Sequence, residues 1–472
     1  MQPSPPEEPP SLAANTPAPA ADAGPALPSR GGAIAGLAPL YPLSGLPRQG
    51  QIWSWISYDV ANQSFTLLIN TLLFNIYFTT VIAGGKPWAA TAWSALFAGS
   101  MLLTVVASPI LGAIADARAW RKAMLLVSGF ACGVLTCLLG LTGPGDVLLA
   151  ALIYIPANFF FNIGENFLAS FLPDVSRRGD YGRVSGFSWG VAYTAALLLL
   201  IITGAAMWLL SLEAPDRWPP LLVFAGAWFI IVAIPTAVWL KEARPDSSPA
   251  APTLGPVRDG IARLKQSVRN TRSYPDLIML LAASLFYGAA MNVIIAFASI
   301  LAKDFGFSDV ALVGFVAVVT VSGIGGTLAT TLVQDRVGHR LTTALLLLIW
   351  ILTSLALLFY AQAAARLGPD ATPTWPLWVL GNLIGFGLGS LGSANRAFVG
   401  VLTPAGRTGE VFGLWGMVFK LAAVLTIPFA IVKDVFGTPA AMAVLTVLLI
   451  IGLVLTLLVR ERRGIQRAAE PA

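Results

Sequence analysis

Residues 90–142 read ATAWSALFAGSMLLTVVASPILGAIADARAWRKAMLLVSGFACGVLTCLLGLT. Two apolar runs, 90–114 and 122–142, flank one tight polar turn that carries Asp116, Arg118, Arg121 and Lys122. Each run has about the 20 residues that an α-helix needs to cross the hydrocarbon of a bilayer. No backbone polar group can be left bare in lipid, so such runs must be helical.

The same pattern fills the rest of the chain. Apolar runs recur near 53–82, 147–171, 184–210, 220–240, 276–302, 309–333, 341–363, 375–400, 409–432 and 439–460, which makes about twelve spans. Of 472 residues, 56% are hydrophobic and 11% are charged. Soluble domains carry roughly 25% charged residues, so a soluble enzyme is excluded, as is disorder over most of the length. The expected fold is an all-α polytopic membrane protein built as two six-helix bundles. Residues 1–50 are expected to be a disordered Pro/Ala-rich tail, 51–240 the first bundle, 241–275 a linker, 276–460 the second bundle and 461–472 a closing tail. Within the linker, Leu254, Val257, Ile261, Leu264 and Val268 recur at helical spacing among basic residues, the pattern of a short helix lying on a membrane surface.

The net charge of +6 follows the membrane rule rather than a nucleic-acid one. Lys and Arg crowd the segments that share a side with the two termini, the linker alone holding Lys241, Arg244, Arg258, Arg263, Lys265, Arg269 and Arg272. The opposite side holds Lys86, Arg217, Lys303, Arg366 and Lys433. This bias places both termini in the cytoplasm. Alanine- and proline-rich usage points to a bacterial inner membrane, and a vacuolar membrane stays open.

The halves repeat each other. Leu111–Lys122 has a weaker echo in Leu332–Leu341, LVQDRVGHRL, and Gly182-Arg-Val-Ser-Gly186 has a stronger one in Gly409-Glu-Val-Phe-Gly413. Internal repeats on this scale mark transporters made of two parallel bundles.

The turn after the second span resembles the signature loop of the major facilitator superfamily. Tyr58-Asp-Val-Ala-Asn62, Phe171-Leu-Pro-Asp174, Gly182–Gly186, Ser284-Leu-Phe-Tyr287, Asn395-Arg-Ala-Phe398 and Gly409–Lys420 together resemble the branch that holds the vacuolar autophagy-related amino-acid effluxers and their uncharacterised bacterial relatives. Two positions depart from that branch: Val60 stands where Trp is usual, and Gly288, Ala289 and Ala290 follow Tyr287 where polar residues are usual. The resemblance implies two pseudo-symmetric bundles, transport by alternating access, and a central cavity lined by spans one, four, seven and ten.

Charges are costly inside a membrane, by at least ~2.5–3.5 kcal/mol for a charge at mid-helix, and are functional by default. The spans retain Asp59, Glu165, Arg396 and Lys420, with Asn62, Asn158, Asn162, Asn166, Asn292 and Asn382. Asp59 and Asn62 are three apart and share a helix face, and Asn158, Asn162, Glu165 and Asn166 draw a polar stripe along span four. With Tyr58 and Tyr287 from the resembling segments, these form the candidate cavity for a small-molecule solute. Glu165 is the candidate carrier of a coupling proton. Lys420 is open to two roles, neutralising an acid or binding an anion, and asparagines in spans also serve simply to join helices. Asp116, Arg118, Arg121, Arg183, Asp335, Arg340 and Arg407 are the candidate gate on the termini side, working by resemblance through ion pairs and a helix terminus.

No phosphate-binding G-x-x-x-x-G-K-[ST] loop occurs. The single histidine, His339, falls in a turn, and Cys132 and Cys137 read as packing residues. No enzyme activity, metal, cofactor or nucleic-acid partner is expected, and the chain is expected to be a monomer. An amino-acid-like solute is favoured by resemblance. A lipid or drug transporter on the same fold and a sensor that has lost transport are the alternatives.

Overall fold

A computed structural model describes residues 43–118, 120–176, 181–242, 269, 271–368, 372–404 and 408–469. The chain divides into a unit of residues 1–44 and one of residues 45–472, and the described helices all belong to the second. The expected tail, apart from its last residues, and the linker helix at 254–268 lie outside the described residues.

Helices are the only regular elements among the described residues. In order they are α1 (Gln49–Ile82), α2 (Ala89–Arg118), α3 (Arg121–Leu139), α4 (Val147–Ser170), α5 (Tyr181–Leu209), α6 (Pro219–Trp239), α7 (Pro275–Asp304), α8 (Asp309–Val337), α9 (His339–Leu367) and α10 (Trp375–Val401). The last apolar stretch, Val411–Leu458, is 48 residues long. At 1.5 Å per residue it is far longer than a bilayer is thick. It breaks at Gly437, whose φ of 84° is left-handed and suits a residue without a Cβ. We label its parts α11 (408–436) and α12 (438–458), which gives twelve crossings. The closing segment is a short helix, α13 (Glu461–Ala469), rather than a loose tail.

Proline shapes two of the spans. α6 is interrupted at Ala233, just before Pro235, and α11 tightens into a 3-10 turn at Ala423–Leu425 ahead of Pro428, because proline lacks the N–H that would continue the ladder. The larger irregularity is in α1, where no proline acts. Ser64–Leu72 and Tyr77–Ile82 are wound with i→i−5 bonds, as in Leu73 N–H to Leu68 O and Ala83 N–H to Phe78 O, both 2.8 Å. Such winding is rare and concentrates at functional sites.

Helices α1–α6 and α7–α12 form the two bundles. Between them, α1 packs on α7, α2 on α11 and on the Thr426–Leu458 helix, and α5 on α8. Within the second bundle α8 and α10 approach at backbone distance: a Cβ on Gly385 would meet Val319 O at 2.2 Å and one on Gly389 would meet Gly323 O at 2.2 Å. The glycines of α10 therefore serve close packing.

Each bundle is fastened on the face where α1 begins and α12 ends, the termini face. In the first, Glu242 accepts from the Arg121 and Lys122 N–H groups at 3.1 Å each, and Gln51 binds Trp239 O and accepts from Lys241 N–H at 2.7 Å. In the second, Glu461 accepts from the His339 and Arg340 N–H groups at 3.1 and 2.9 Å. Asp276 there accepts from Arg460 N–H at 2.9 Å and from Arg463 at 2.7 and 2.8 Å. The Asp276 carboxylate holds the Arg463 guanidinium above its ordinary pKa. His339, the first residue of α9, is half-buried and stacks on Phe398 with ring centroids 6.0 Å apart.

Candidate functional site

The four intramembrane charges converge between the bundles, two acids from one and two bases from the other. Helix α1 carries Asp59, whose carboxylate accepts from Ser188 Oγ of α5 at 2.5 Å. One turn on, Asn62 Nδ2 donates to Glu165 Oε1 of α4. From α11, Lys420 Nζ donates to Asn166 Oδ1 at 2.7 Å, and Asn166 Nδ2 donates to Ser108 Oγ of α2 at 2.9 Å. From α10, the Arg396 guanidinium lies 5.6 Å from the ring of Trp189 on α5 and 5.8 Å from that of Trp415 on α11, within cation–π range.

Every charge thus rests on a neutral partner. Among the described residues no ion pair joins Asp59 or Glu165 to Arg396 or Lys420. Glu165, Asn166 and Arg396 are exposed although they stand within the spans, and Asp59 is half-buried. A cavity of about 200 Å³, lined by Ser108, Gly112, Arg121, Ile163, Asn166, Phe167 and Ser170, runs from the termini face to Asn166. The Oδ1 atom of Asn62 is buried without a hydrogen-bond partner. Asn62 is therefore an amide with a spare acceptor beside an acid.

The far side of the bundle interface is closed. Thr91 N–H, in the first turn of α2, donates to Asp434 Oδ2 of α11 at 2.6 Å, and Ser94 pairs with Thr426 at 2.6 Å. Ala296 O of α7 accepts from Trp93 Nε1 at 2.9 Å and from Asn75 Nδ2 at 3.2 Å, and Ser299 donates to Thr71 O.

Several expected cavity residues are placed elsewhere. Tyr58, 1% exposed, donates to Leu125 O at 3.3 Å, and a Cβ on Gly164 would meet its hydroxyl at 2.3 Å, so it fills the packing of the first bundle. Tyr287, fully buried, pairs with Ser284 at 2.8 Å. The stripe on α4 splits: Asn158 is locked to Asn70 (3.1 Å) and Ser100 (2.6 Å), and Asn162 to Asn158 O (2.8 Å), so only Glu165 and Asn166 reach the open space. Asn292 donates to Phe419 O at 3.1 Å and ties α7 to α11, and Asn382 binds Ser322 and ties α10 to α8. These amides join helices.

Two residues of the expected gate are placed by the structure. Arg121 pairs with Asp174 at 2.8 Å and with Glu242 at 3.3 Å, and Arg340 donates to Val459 O at 3.3 Å. Both fasten helices of their own bundle and do not bridge the two. The side chains of Asp116, Arg118, Arg183 and Asp335, and all of Arg407, lie outside the described residues. Sequence reading missed Ser188, Trp189 and Trp415 at the site and Asp174, Glu242, Asp276 and Glu461 at the face. The four acids carried a signal, since each stands just beyond or at the start of a span.

A family model described as "Vacuole effluxer Atg22 like" matches residues 81–181 and 176–469. The chain is 24% identical over 420 residues to an uncharacterized MFS-type transporter, YxiO, of Bacillus subtilis, a match covering 86% of this chain and 94% of the relative. It is 24% identical over 445 residues to autophagy-related protein 22-1 of Penicillium rubens, covering 78% of this chain and 75% of that one. Among solved structures, the D-xylose-proton symporter matches with a TM-score of 0.66 at 16% identity, over 88% of this chain and 99% of that one. The nucleoside transporter NupG matches with a TM-score of 0.60 at 13% identity, over 87% and 97%. These structures share the major facilitator fold. The relatives mark a membrane transporter rather than an enzyme.

Proposed function

We propose, from the premise that this chain belongs to the Atg22-like vacuole effluxer family of major facilitator transporters, that it is a proton-coupled secondary carrier of a small polar organic solute, amino-acid-like, working by alternating access. One observation carries the reading: acids on one bundle and bases on the other come together at the bundle interface, each held by a neutral group alone. A solute with an ammonium and a carboxylate offers a partner to both sides at once. A charge withdrawn from water is costly unless it is paired, so a ligand that offers both partners as the bundles close on it is favoured over one that offers neither.

Glu165 is the proton site of this scheme. Asn62 suits both of its states, donating its amide N–H to the carboxylate and, after an amide flip, accepting from the carboxylic acid. The far seam is bridged by hydrogen bonds, and the cavity beside Arg121 leads to Asn166, the partner of Lys420, so in this reading the site opens toward the termini face. Rocking of the bundles then exchanges the sealed face. The excess of Lys and Arg beside the termini assigns that face to the cytoplasm, in a bacterial inner membrane.

Counterflow in proteoliposomes tests this. Vesicles loaded with mixed amino acids are offered labelled members, with and without an imposed pH gradient. We expect uptake that depends on the internal partner and rises with the gradient. Glu165→Gln is expected to keep exchange and lose at least roughly tenfold of the gradient-driven component, a change of about 1.4 kcal/mol. Proton-driven uptake unchanged in Glu165→Gln removes the coupling role, and no counterflow of any amino acid removes the solute class.

A further inference from the structure

One neutral partner of the cations stands beside an acid in sequence, and the other stands beside the residue that holds an acid. Asn166, which holds Lys420, follows Glu165. Trp189, which holds Arg396, follows Ser188, the partner of Asp59. Each base thus reaches across to the helix that carries an acid or an acid's partner, and among the described residues it pairs with neither acid. Opposite charges attract by several kcal/mol at the effective dielectric of a protein, about 4 kcal/mol at 4 Å, so the separation needs a cause.

The geometry supplies one at both places. Asn166 is not a free amide: its Nδ2 is fixed on Ser108 at 2.9 Å, which aims Oδ1 at the Lys420 ammonium. Trp189 is not a free ring: Tyr193 lies against it with centroids 5.7 Å apart. The opposite indole, Trp415, is braced edge-on by Phe419 at 5.2 Å and Phe412 at 6.0 Å. Two fixed aromatic faces give a guanidinium a seat of their own, worth about 0.5–2 kcal/mol each depending on desolvation.

We propose that Asn166 and Trp189 are positioning residues that hold Lys420 and Arg396 off Glu165 and Asp59 and so keep the site charge-separated. Neither needs to touch the solute. Without them each base falls onto its neighbouring acid, the site neutralises itself, and neither a proton nor a dipolar solute finds an unpaired group. The inference rests on the reading that these four charges form the transport site.

The test reads Glu165 directly in the purified full chain, by the infrared C=O band of its protonated carboxyl, assigned by its loss in Glu165→Gln. The comparison is made at the pH where the native protein shows half the full band. There, Asn166→Ala is expected to lose the band because Lys420 claims the carboxylate, and Asn166→Ala/Lys420→Met to recover it. Asn166→Thr serves if Asn166→Ala does not fold. A band that stays unchanged in the single variant, or that is lost and not recovered in the double, overturns the role of Asn166. For Trp189, counterflow of the labelled amino acids should stay within about threefold of native in Trp189→Phe, which keeps an aromatic face. It should fall roughly tenfold in Trp189→Leu, and Trp189→Leu/Arg396→Met should be no worse than Arg396→Met alone. Equal loss in both Trp189 variants, or additive loss in the double, overturns that half. The infrared arm needs no solute. A band lost and recovered as expected, without any amino-acid counterflow, therefore removes the amino-acid solute class and leaves the positioning role of Asn166 standing.

Discussion

The two bundles close their termini faces with the same backbone plan and different chemistry. In both, a glutamate just past the sixth helix caps the start of the third: Glu242 on Arg121 and Lys122, and Glu461 on His339 and Arg340. In both, the backbone N–H one residue earlier, Lys241 or Arg460, is taken by a side chain at the start of the first helix. In the first bundle that side chain is the neutral Gln51. In the second it is Asp276, 3% exposed and bonded twice more by Arg463. The repeat has kept the places where helix ends need partners, since the first N–H groups of a helix always do. It has left the strength of the pin free to diverge. Charge-assisted bonds are roughly twice as strong as neutral ones, so α7 is pinned harder than α1.

The hardest break of that comparison is Asp276→Ala. It strands Arg460 N–H and the Arg463 guanidinium together. The Arg463 guanidinium is solvated and re-hydrates, so the loss is carried by Arg460 N–H and by the hold of Asp276 on α13, and it is expected to be the largest of the set. Denaturant unfolding should show the loss, and trypsin should cut at Arg462 or Arg463 in α13 before the spans. Next comes Gln51→Ala, expected to cost about 1–2 kcal/mol for two neutral bonds, with no new cleavage in α13. Replacing either capping acid by its amide, Glu242→Gln or Glu461→Gln, keeps one of its two acceptors, sets an amide NH2 against the other N–H and removes a charge from a helix start. Each should cost about 0.3–1 kcal/mol by the same unfolding assay. The smallest effect sharpens the contrast: raising salt to about 1 M should narrow the gap between Asp276→Ala and Gln51→Ala by a few tenths of a kcal/mol. A gap that salt leaves untouched would mean that packing of α13, rather than charge, makes the second pin strong.

The sequence discloses the spans, their grouping and the four costly charges because hydrophobicity and charge are properties of single residues. It discloses the helix face of the α4 amides because spacing sets the direction in which a side chain points. It does not disclose what lies in that direction. Asn158 and Glu165 fall on one stripe, yet Asn158 meets Asn70 and Ser100 while Glu165 meets Asn62 beside open space. Tyr58 and Asp59 are adjacent, yet one fills a gap left by Gly164 and the other faces Ser188. Trp189 and Trp415 could not be found by pattern, since nothing local distinguishes an indole that seats a guanidinium from one that faces lipid. For Arg121 the turn sequence did not disclose its partners either: Asp174 and Glu242 come from distant stretches of the chain and lie on its own bundle.

Helix α1 is anchored twice, by Gln51 at the termini face and by the Asn75 contact with α7 on the far side. Between the anchors lies Ser64–Leu72, wound with i→i−5 bonds. Returning one such turn to ordinary α winding lengthens or re-phases the helix with no bond to either anchor broken. The first span is in this sense an adjustable tie rod. Two faces that open in turn need an element that stays attached to both, and a deletion of one residue between 64 and 72 would take the adjustment away while leaving the rod in place.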